Sequence, residues 1–173
     1  MRLPDTGQTT SYTTTFGEDA DYNFNMPAFI LSGNGTVIDT ITSLMWQQTD
    51  GGEMTIENAA LYCDTLTLGG YTDWRLPNCH ELFSILNHDK VNPAIDINYF
   101  THTLAEYWWS SQRQANDTTK VWVTNAGGGV GSERYCNARN DGEAMSEVSF
   151  HFAIAFCFSR SISRYAHTLR NEG

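Results

Sequence analysis

Two segments of the chain repeat apolar residues at the three- and four-residue spacing of a helix that buries one face. The first follows Thr55, which can cap a helix, and stops at the glycine pair Gly69-Gly70. Its apolar positions are Ile56, Ala59, Ala60, Cys63 and Leu66. The second follows Asn78, with Glu81 three residues on to complete a capping box. Its apolar side consists of Leu82, Phe83, Ile85 and Leu86.

Elsewhere the pattern predicts strands. Residues 29–48 have a Gly-Asn-Gly turn between two apolar runs rich in β-formers, which is typical of a hairpin. Residues 105–114 and 120–131 predict two further strands, the second with a glycine-rich turn or bulge at residues 127–129. Successive strand residues face opposite sides, so Trp108 and Trp109 cannot both be buried against one core. We expect one of them to be presented outward.

A short connector between the two predicted helices contains Asp73, Trp74 and Arg75. Trp74 is large enough to fill the gap beneath the helices, and Asp73 and Arg75 project from the same face of an extended segment, where they can bind backbone groups or helix ends. A catalytic site would need a nucleophile or a histidine nearby, and the candidate, His80, falls in the first turn of the second helix. We predict a structural role, which an open cavity beside Trp74 with converging ionisable groups would contradict.

Composition narrows the classes of function. With 173 residues, of which 40% are apolar, the chain can form a domain with a real core. Twenty acidic side chains against ten basic ones give a formal charge of −10, which disfavours a nucleic-acid partner. No stretch approaches the roughly 20 apolar residues that cross a bilayer, so we expect no membrane insertion.

The chain gives little sign of a metal or cofactor. Its five histidines show no ligand pairing, and the spacing of its four cysteines fits neither a zinc ribbon nor a redox pair. If all four cysteines are bridged, three pairings are open. We expect no cofactor, with calcium as the one ion left open because Asp117, Asn125 and Asp141 carry the oxygen ligands that it prefers.

The two ends of the chain differ from its middle. Residues 1–27 are rich in Thr, Asp, Asn and Gly without a sustained period, and predict an extended or loosely packed arm on the surface. Residues 133–173 hold five acidic and five basic side chains, so the whole net charge resides in residues 1–132. We expect the arm to precede a single domain over residues 28–173.

Several motifs resemble, in order, those of a known family. "GNGTVIDTITSLMWQ", "GGYTDWRLP", "YWWSS" and "KVWVTNAGGG" are similar to the domain family named after the C-terminal part of the Legionella collagen-like adhesin, over about residues 3–132. The resemblance implies a C-type-lectin-like α+β fold, with two helices packed on a twisted, mostly antiparallel sheet. It implies a secreted or surface-attached bacterial protein, whose secretion signal is absent from this chain. The family's known activity is adhesion, including the binding of sulfated polysaccharides, so we expect no enzyme and assign a scaffold role to Trp74 and Arg75 of the DWRLP motif.

The resemblance breaks after about residue 131, where members usually continue to a closing strand with a cysteine. Here "VSFHFAIAFCFSR" alternates well enough for such a strand. One face would carry Phe150, Phe152, Ile154, Phe156 and Phe158. Cys157 would then stand near the family's usual cysteine, with Cys63 as its partner. Alternatively the tail has been replaced, for example by a frame change, and packs poorly. Both interpretations stay open, and we favour the closing strand.

These observations favour a binding module outside the cell that recognises a glycan or a protein. Aromatic and polar residues alternate in residues 108–130, a mixture that suits both kinds of ligand. The predicted binding residues are Trp109, Ser111, Arg113, Asn116 and Asn125. The acidic charge fits a neutral glycan or a protein better than a sulfated ligand.

Two other functions remain as alternatives. The first is a structural or oligomerisation domain of a surface appendage or phage tail, since members of the family can be trimeric and a homotrimer would follow. The second is a hypervariable display protein that varies near its C-terminus.

Overall fold

A computed structural model describes residues 4–101, 107–126, 136–140 and 153–159. These residues contain two α-helices and nine β-strands, and all but one of the strand pairings are antiparallel. The predicted α+β class is confirmed. Neither α-helix in the described part combines the length and apolar character that a membrane span needs.

The first sheet has four strands in the order β1-β2-β3-β9. They are β1 (Phe29–Leu31), β2 (Thr36–Asp39), β3 (Leu44–Gln47) and β9 (Phe158–Ser159). The turn between β1 and β2 contains Gly35, whose φ of 82° lies in the left-handed region that glycine adopts without strain. The predicted hairpin within residues 29–48 is therefore present, and β3 extends it.

The second sheet has five strands in the order β4-β8-β5-β6-β7. They are β4 (Glu53–Met54), β8 (Ala153–Ile154), β5 (Tyr107–Gln114), β6 (Asp117–Asn125) and β7 (Cys136–Asn140). The pair β5–β8 is parallel and the others are antiparallel. The described residues thus form two sheets, where the sequence predicts one.

Helix α1 covers Ile56–Thr65 and begins where the sequence predicts it. The Thr55 hydroxyl accepts a hydrogen bond from the Asn58 N–H and caps the helix. Ala59 and Cys63 are completely buried, because the apolar face of α1 packs on the second sheet.

Helix α2 covers only Cys79–Phe83, less than the predicted apolar run. Asn78 and Glu81 form the predicted capping box. Beyond the helix the chain continues in tighter turns, in which the Ile85 N–H donates to the Leu82 carbonyl at 3.3 Å. The apolar side is still buried, at Leu82, Ile85 and Leu86.

The second sheet has an apolar cluster on each side, one with α2 and the other with α1. Trp108 packs in the first cluster beside Leu82, and Trp109 in the second beside Ala59. The two indoles are 0% and 2% exposed. Our expectation that one of them is presented outward is therefore wrong, because strand alternation delivers one tryptophan to each of two cores.

The segment 153–159 closes the fold. Its residues 155–159 are all buried, with Phe156 and Phe158 in the cluster of Trp108. Cys157 forms a disulfide with Cys63, with an S–S distance of 2.08 Å. The predicted pairing is confirmed, and this part of the tail closes the fold, whereas the predicted contributions of Phe150 and Phe152 lie outside the described residues.

The described part of the N-terminal arm, residues 4–27, is a closed loop. Asp5 and Asn25 join its ends, since the Asp5 N–H donates to the Asn25 carbonyl at 3.0 Å. Within the loop, the Glu18 carboxylate accepts a hydrogen bond from the Tyr12 N–H at 2.7 Å. Hydrogen bonds from Thr13 and from the Tyr12 N–H lower the pKa of Glu18. The loop is fastened to the domain where the His88 N–H donates to the Thr6 carbonyl at 2.9 Å.

Candidate functional site

The connector from Asp73 to Asn78 lies between the two sheets and is bonded to both. Arg75 exchanges two backbone hydrogen bonds with Phe158 in β9, each 3.1 Å long. On the other side, the Pro77 carbonyl accepts the Ser111 N–H of β5 at 2.8 Å. Ser111 is available because the register between β5 and β6 shifts after Trp109, which frees this part of β5 from β6. The connector therefore joins the sheets.

Trp74 is held at the centre of this junction. Its side chain is 2% exposed, and its indole N–H points to the carbonyls of Leu68 and Tyr71 at 3.3 and 3.1 Å. Next to it, the Asp73 carboxylate accepts a hydrogen bond from the Ser159 hydroxyl at 2.7 Å. These contacts fix the turn that follows α1 and attach it to the closing segment.

Arg75 has contacts on three sides. Its guanidinium donates to the Leu76 carbonyl at 2.9 Å and to the Glu81 carboxylate at 2.8 Å, and lies 4.0 Å above the Phe158 ring. Glu81 is buried and also accepts the Asn78 N–H at 2.8 Å. A buried carboxylate needs such partners because its desolvation is costly. The Arg75 side chain is still 39% exposed, so part of it stays accessible to a ligand.

A groove of about 420 Å³, partly open to solvent, lies beside this junction. Its volume is within the range of small-molecule sites in proteins. Helix α1, the connector and strands β5 and β6 form its walls. The lining residues are Ile56, Ala60, Asp64, Trp74, Arg75, Leu76, Ser110, Ser111, Arg113 and Val121.

The groove is lined by both apolar and polar side chains. Arg113 is exposed and donates to the Thr118 carbonyl at 2.7 Å. Asp64, near the end of α1, is exposed on another wall. The groove thus offers guanidinium donors, a carboxylate acceptor and the exposed Ser111 hydroxyl, and its described lining contains no histidine and no cysteine. Such an arrangement suits recognition of a polar, uncharged molecule.

The predicted binding residues divide between this groove and other places. Ser111 and Arg113 line it. Asn116 is in the β5–β6 turn, where it accepts the Gln114 side-chain amide at 2.6 Å, and Asn125 pairs with Tyr107 in the sheet.

Trp109 requires a correction. Its ring is buried under α1, and its indole N–H donates to the Met54 carbonyl at 2.7 Å. The aromatic surface that we expect it to offer a ligand is covered, because the α1 side of the sheet has a core of its own.

Six of the ten described residues that line the groove were not among the predicted site residues. Asp64 and Ala60 belong to α1, and Ser110 is completely buried in β5. One signal was available: Ala60 and Asp64 are four residues apart and hence on one face of a helix. Nothing local indicates which strand that face meets. The junction comes close to contradicting the predicted structural role, since Trp74 lines a groove that also contains ionisable groups. Arg75 is nevertheless bonded to the Leu76 carbonyl and the Glu81 carboxylate and lies over the Phe158 ring, as a structural role requires.

A metal site is not seen in the part of the chain that the structure describes. No three His, Cys, Asp or Glu side chains there are grouped to hold an ion. Of the calcium candidates, Asp117 pairs with Lys120 at 3.2 Å, and Asp141 lies outside the described residues.

A buried group and a half-buried one, both away from the groove, have shifted pKa values. Burial raises the pKa of the Asp39 carboxyl, although hydrogen bonds from Thr42 and Ile41 oppose the shift. Burial lowers the pKa of His88, and nearby Asp19 opposes that shift. Neither residue lines the groove, so these shifts concern stability.

Comparison with known proteins identifies the family. The model of the Lcl C-terminal domain matches residues 35–146, well over half of the chain. This range includes the connector, both α-helices and strands β2 to β7. No curated protein and no solved structure matches the chain significantly. On the family match, which confirms the resemblance seen in its motifs, the chain belongs to the Lcl C-terminal domain family.

Proposed function

We propose that this domain is a non-catalytic binding module of the adhesin type and that it recognises a neutral glycan in the groove beside the connector. The observation that carries the proposal is the mixture of groups that line the groove: apolar side chains together with two arginines, the exposed Ser111 and Asp64. A sugar ring has the matching surfaces, since its C–H face is apolar and its hydroxyls both donate and accept hydrogen bonds. Membership of the family supports the adhesin part of the proposal.

The charges of the groove favour an uncharged ligand. Arg75 is neutralised by Glu81, and Arg113 shares the groove with Asp64. The chain as a whole carries a formal charge of −10, which repels an anionic polymer at long range. Hydroxyl groups, in contrast, can accept from a guanidinium and donate to a carboxylate without a desolvated net charge.

The composition of the groove also favours binding over catalysis. General acid–base catalysis needs a group whose pKa lies near the working pH, and arginine stays protonated throughout that range. Among the described lining residues, Asp64 is the only carboxylate, and it is exposed on helix α1. A glycosidase would need a pair of carboxyl groups that face each other across the bond to be cleaved.

We propose a C-type-lectin-like arrangement and a location outside the cell. Two helices, largely antiparallel sheets and a disulfide that joins α1 to the closing segment support the arrangement. The disulfide also supports the location, because such bonds persist in oxidising compartments.

The test is a glycan array probed with the full chain, followed by calorimetry on the glycans that bind. We expect Arg113→Ala to weaken binding about tenfold or more, since a hydrogen bond to a charged donor is lost. Lys120→Ala is the matched control, because Lys120 lies on neighbouring β6 but outside the groove and is paired with Asp117.

A second pair of variants tests the groove by its shape. Ala60→Phe places a ring in the groove from α1, and we expect it to abolish binding. Leu61→Phe is the control, since Leu61 is the next residue of α1, is 61% exposed and does not line the groove. Unchanged affinity in Ala60→Phe would refute the assignment of the groove as the binding site.

A further inference from the structure

Cys79 is the first residue of α2, and its side chain reaches strand β6. The side chain is buried, and its Sγ lies 3.6 Å from the Thr124 hydroxyl oxygen. Cys79 takes part in a disulfide. The bond described above joins Cys63 to Cys157 and therefore does not include Cys79.

The register of the second sheet places Cys136 next to this position. Thr124 lies directly opposite Trp108 of β5 on one side and directly opposite Cys136 of β7 on the other. Directly opposite residues of antiparallel strands are on the same face of a sheet, with Cβ atoms about 4.5–5.5 Å apart. Trp108 belongs to the cluster that contains Leu82 of α2. Trp108, Thr124 and Cys136 therefore form one row across the sheet, on the face that α2 covers.

We infer that Cys79 and Cys136 form a second disulfide, which joins α2 to β7. The chain has four cysteines, and Cys63 and Cys157 are bonded to each other, so Cys136 is the cysteine left for Cys79. Cys79 is buried, so a cysteine of another molecule cannot reach it without opening the fold. The geometry agrees, because the Cys79 sulfur already contacts the residue directly opposite Cys136, and a disulfide joins Cβ atoms about 3.5–4.5 Å apart.

Formation of this bond is a two-electron oxidation. The thiolate of one cysteine attacks a disulfide oxidant, such as oxidised glutathione, and releases one glutathione thiol. The second thiolate then attacks the mixed disulfide and releases the other. The two cysteines thus lose two protons and two electrons, and the oxidant gains them. The bond between Cys63 and Cys157 needs the same oxidising compartment, so the second bond adds no new condition.

The two disulfides hold the second sheet from opposite sides. Cys63 and Cys157 lie in the cluster of Trp109, on the α1 side, whereas Cys79 lies on the α2 side. Strand β7 is the last strand in the described order of this sheet and pairs there with β6. The bond to Cys136 ties this strand to α2 as well. It keeps β7 paired under conditions in which a strand held by one ladder of hydrogen bonds would open locally.

Peptide mapping of the full chain tests the pairing. Trypsin cleaves after Lys and Arg and places each cysteine in a peptide of its own, with Cys79 in residues 76–90 and Cys136 in residues 135–139. The chain, purified from a glutathione redox buffer, is alkylated in denaturant and digested without reductant. We expect mass spectrometry to find these two peptides linked to each other. Recovery of the two peptides unlinked and alkylated, or linked to either of the other two cysteines, would overturn the proposal.

Two double variants test the effect of the bond and its register. Cys79→Ala/Cys136→Ala should lower the melting temperature by roughly 10 °C, because the unfolded chain regains the freedom of a loop on the order of 60 residues. An unchanged melting temperature would refute the claim that the bond holds β7 to α2. Cys136→Ala/Ala138→Cys is the matched control, since it moves the cysteine two residues along the same face of β7, by about 6.6 Å. Cys79 should then be recovered alkylated, and a link formed with undiminished yield would refute the argument from register.

Discussion

The disulfide between Cys63 and Cys157 offers the sharpest test of how the chain closes. The two residues are 94 positions apart, and both are completely buried. Replacing either by alanine removes the cross-link, so that the unfolded chain regains the freedom of a loop of this length. The loop-closure relation gives about 4.7 kcal/mol for a loop of roughly 100 residues at 25 °C. The lost sulfur atoms add about 1 kcal/mol, comparable to the removal of one buried methyl group.

A loss of this size is large beside the roughly 5–15 kcal/mol of stability that domains have in total. We therefore expect Cys63→Ala to be close to unfolded at 37 °C and folded only at lower temperature. Urea denaturation at 10 °C, monitored by tryptophan fluorescence, should give a midpoint well below that of the parent chain. The double variant Cys63→Ala/Cys157→Ala should be only slightly less stable than either single variant, because one cross-link can be lost only once.

The expected pattern separates two causes of destabilisation. If the effects of the two single variants add fully in the double variant, packing rather than the cross-link dominates. If either single variant loses less than about 1 kcal/mol, the segment 153–159 is not fixed in the folded protein, and the argument that it closes the fold is refuted.

Three further predictions concern single buried contacts. Because burial raises the pKa of Asp39, this carboxyl keeps its proton to higher pH in the folded protein than in the unfolded chain. The stability that Asp39 contributes is therefore complete below its pKa in the unfolded chain, and it is lost as the pH rises through its pKa in the folded protein. Asp39→Asn should therefore gain stability relative to the parent between pH 4 and pH 7, measured by urea denaturation at both values. Arg75→Ala should lower the free energy of unfolding by about 2 kcal/mol, which is less than the loss of one partner from a fully buried ion pair because the Arg75 side chain is 39% exposed. Adding Glu81→Gln to Arg75→Ala should restore part of the lost stability, because it removes the unpaired buried charge. Trp109→Phe should cost about 1–3 kcal/mol more than Trp108→Phe in thermal melts, since the Trp109 N–H donates to the Met54 carbonyl, whereas the Trp108 N–H has no acceptor among the residues that the structure describes.

Local features of the fold could be predicted from the sequence because they depend on neighbouring residues. The cap at Thr55 and the capping box of Asn78 and Glu81 are set within three residues, and both appear in the structure. The end of α2 was not predictable in the same way. The apolar run continues to Leu86, but the chain tightens after Phe83 while keeping the same residues buried.

Features that depend on several distant segments could not be predicted. The alternation argument for Trp108 and Trp109 is sound, yet it cannot reveal that the sheet has a core on each side. The groove combines α1, the connector and β5, which are distant in the sequence. Ser111 and Arg113 could be predicted because they follow two tryptophans in a predicted strand. For Asp64, the helical spacing indicates which face of α1 it shares with Ala60, but not which strand that face meets.

The register shift in β5 has a consequence for how the protein can change over generations. At this shift the backbone of Ser111 is held by the Pro77 carbonyl, while the side chains of Ser111 and Arg113 remain exposed. The connector thus holds the main chain of β5 by a hydrogen bond, while the side chains of Ser111 and Arg113 are not packed in the core. Under the proposed function, substitutions at these two positions alter selectivity while the interior stays intact, so a library randomised there should yield many folded variants.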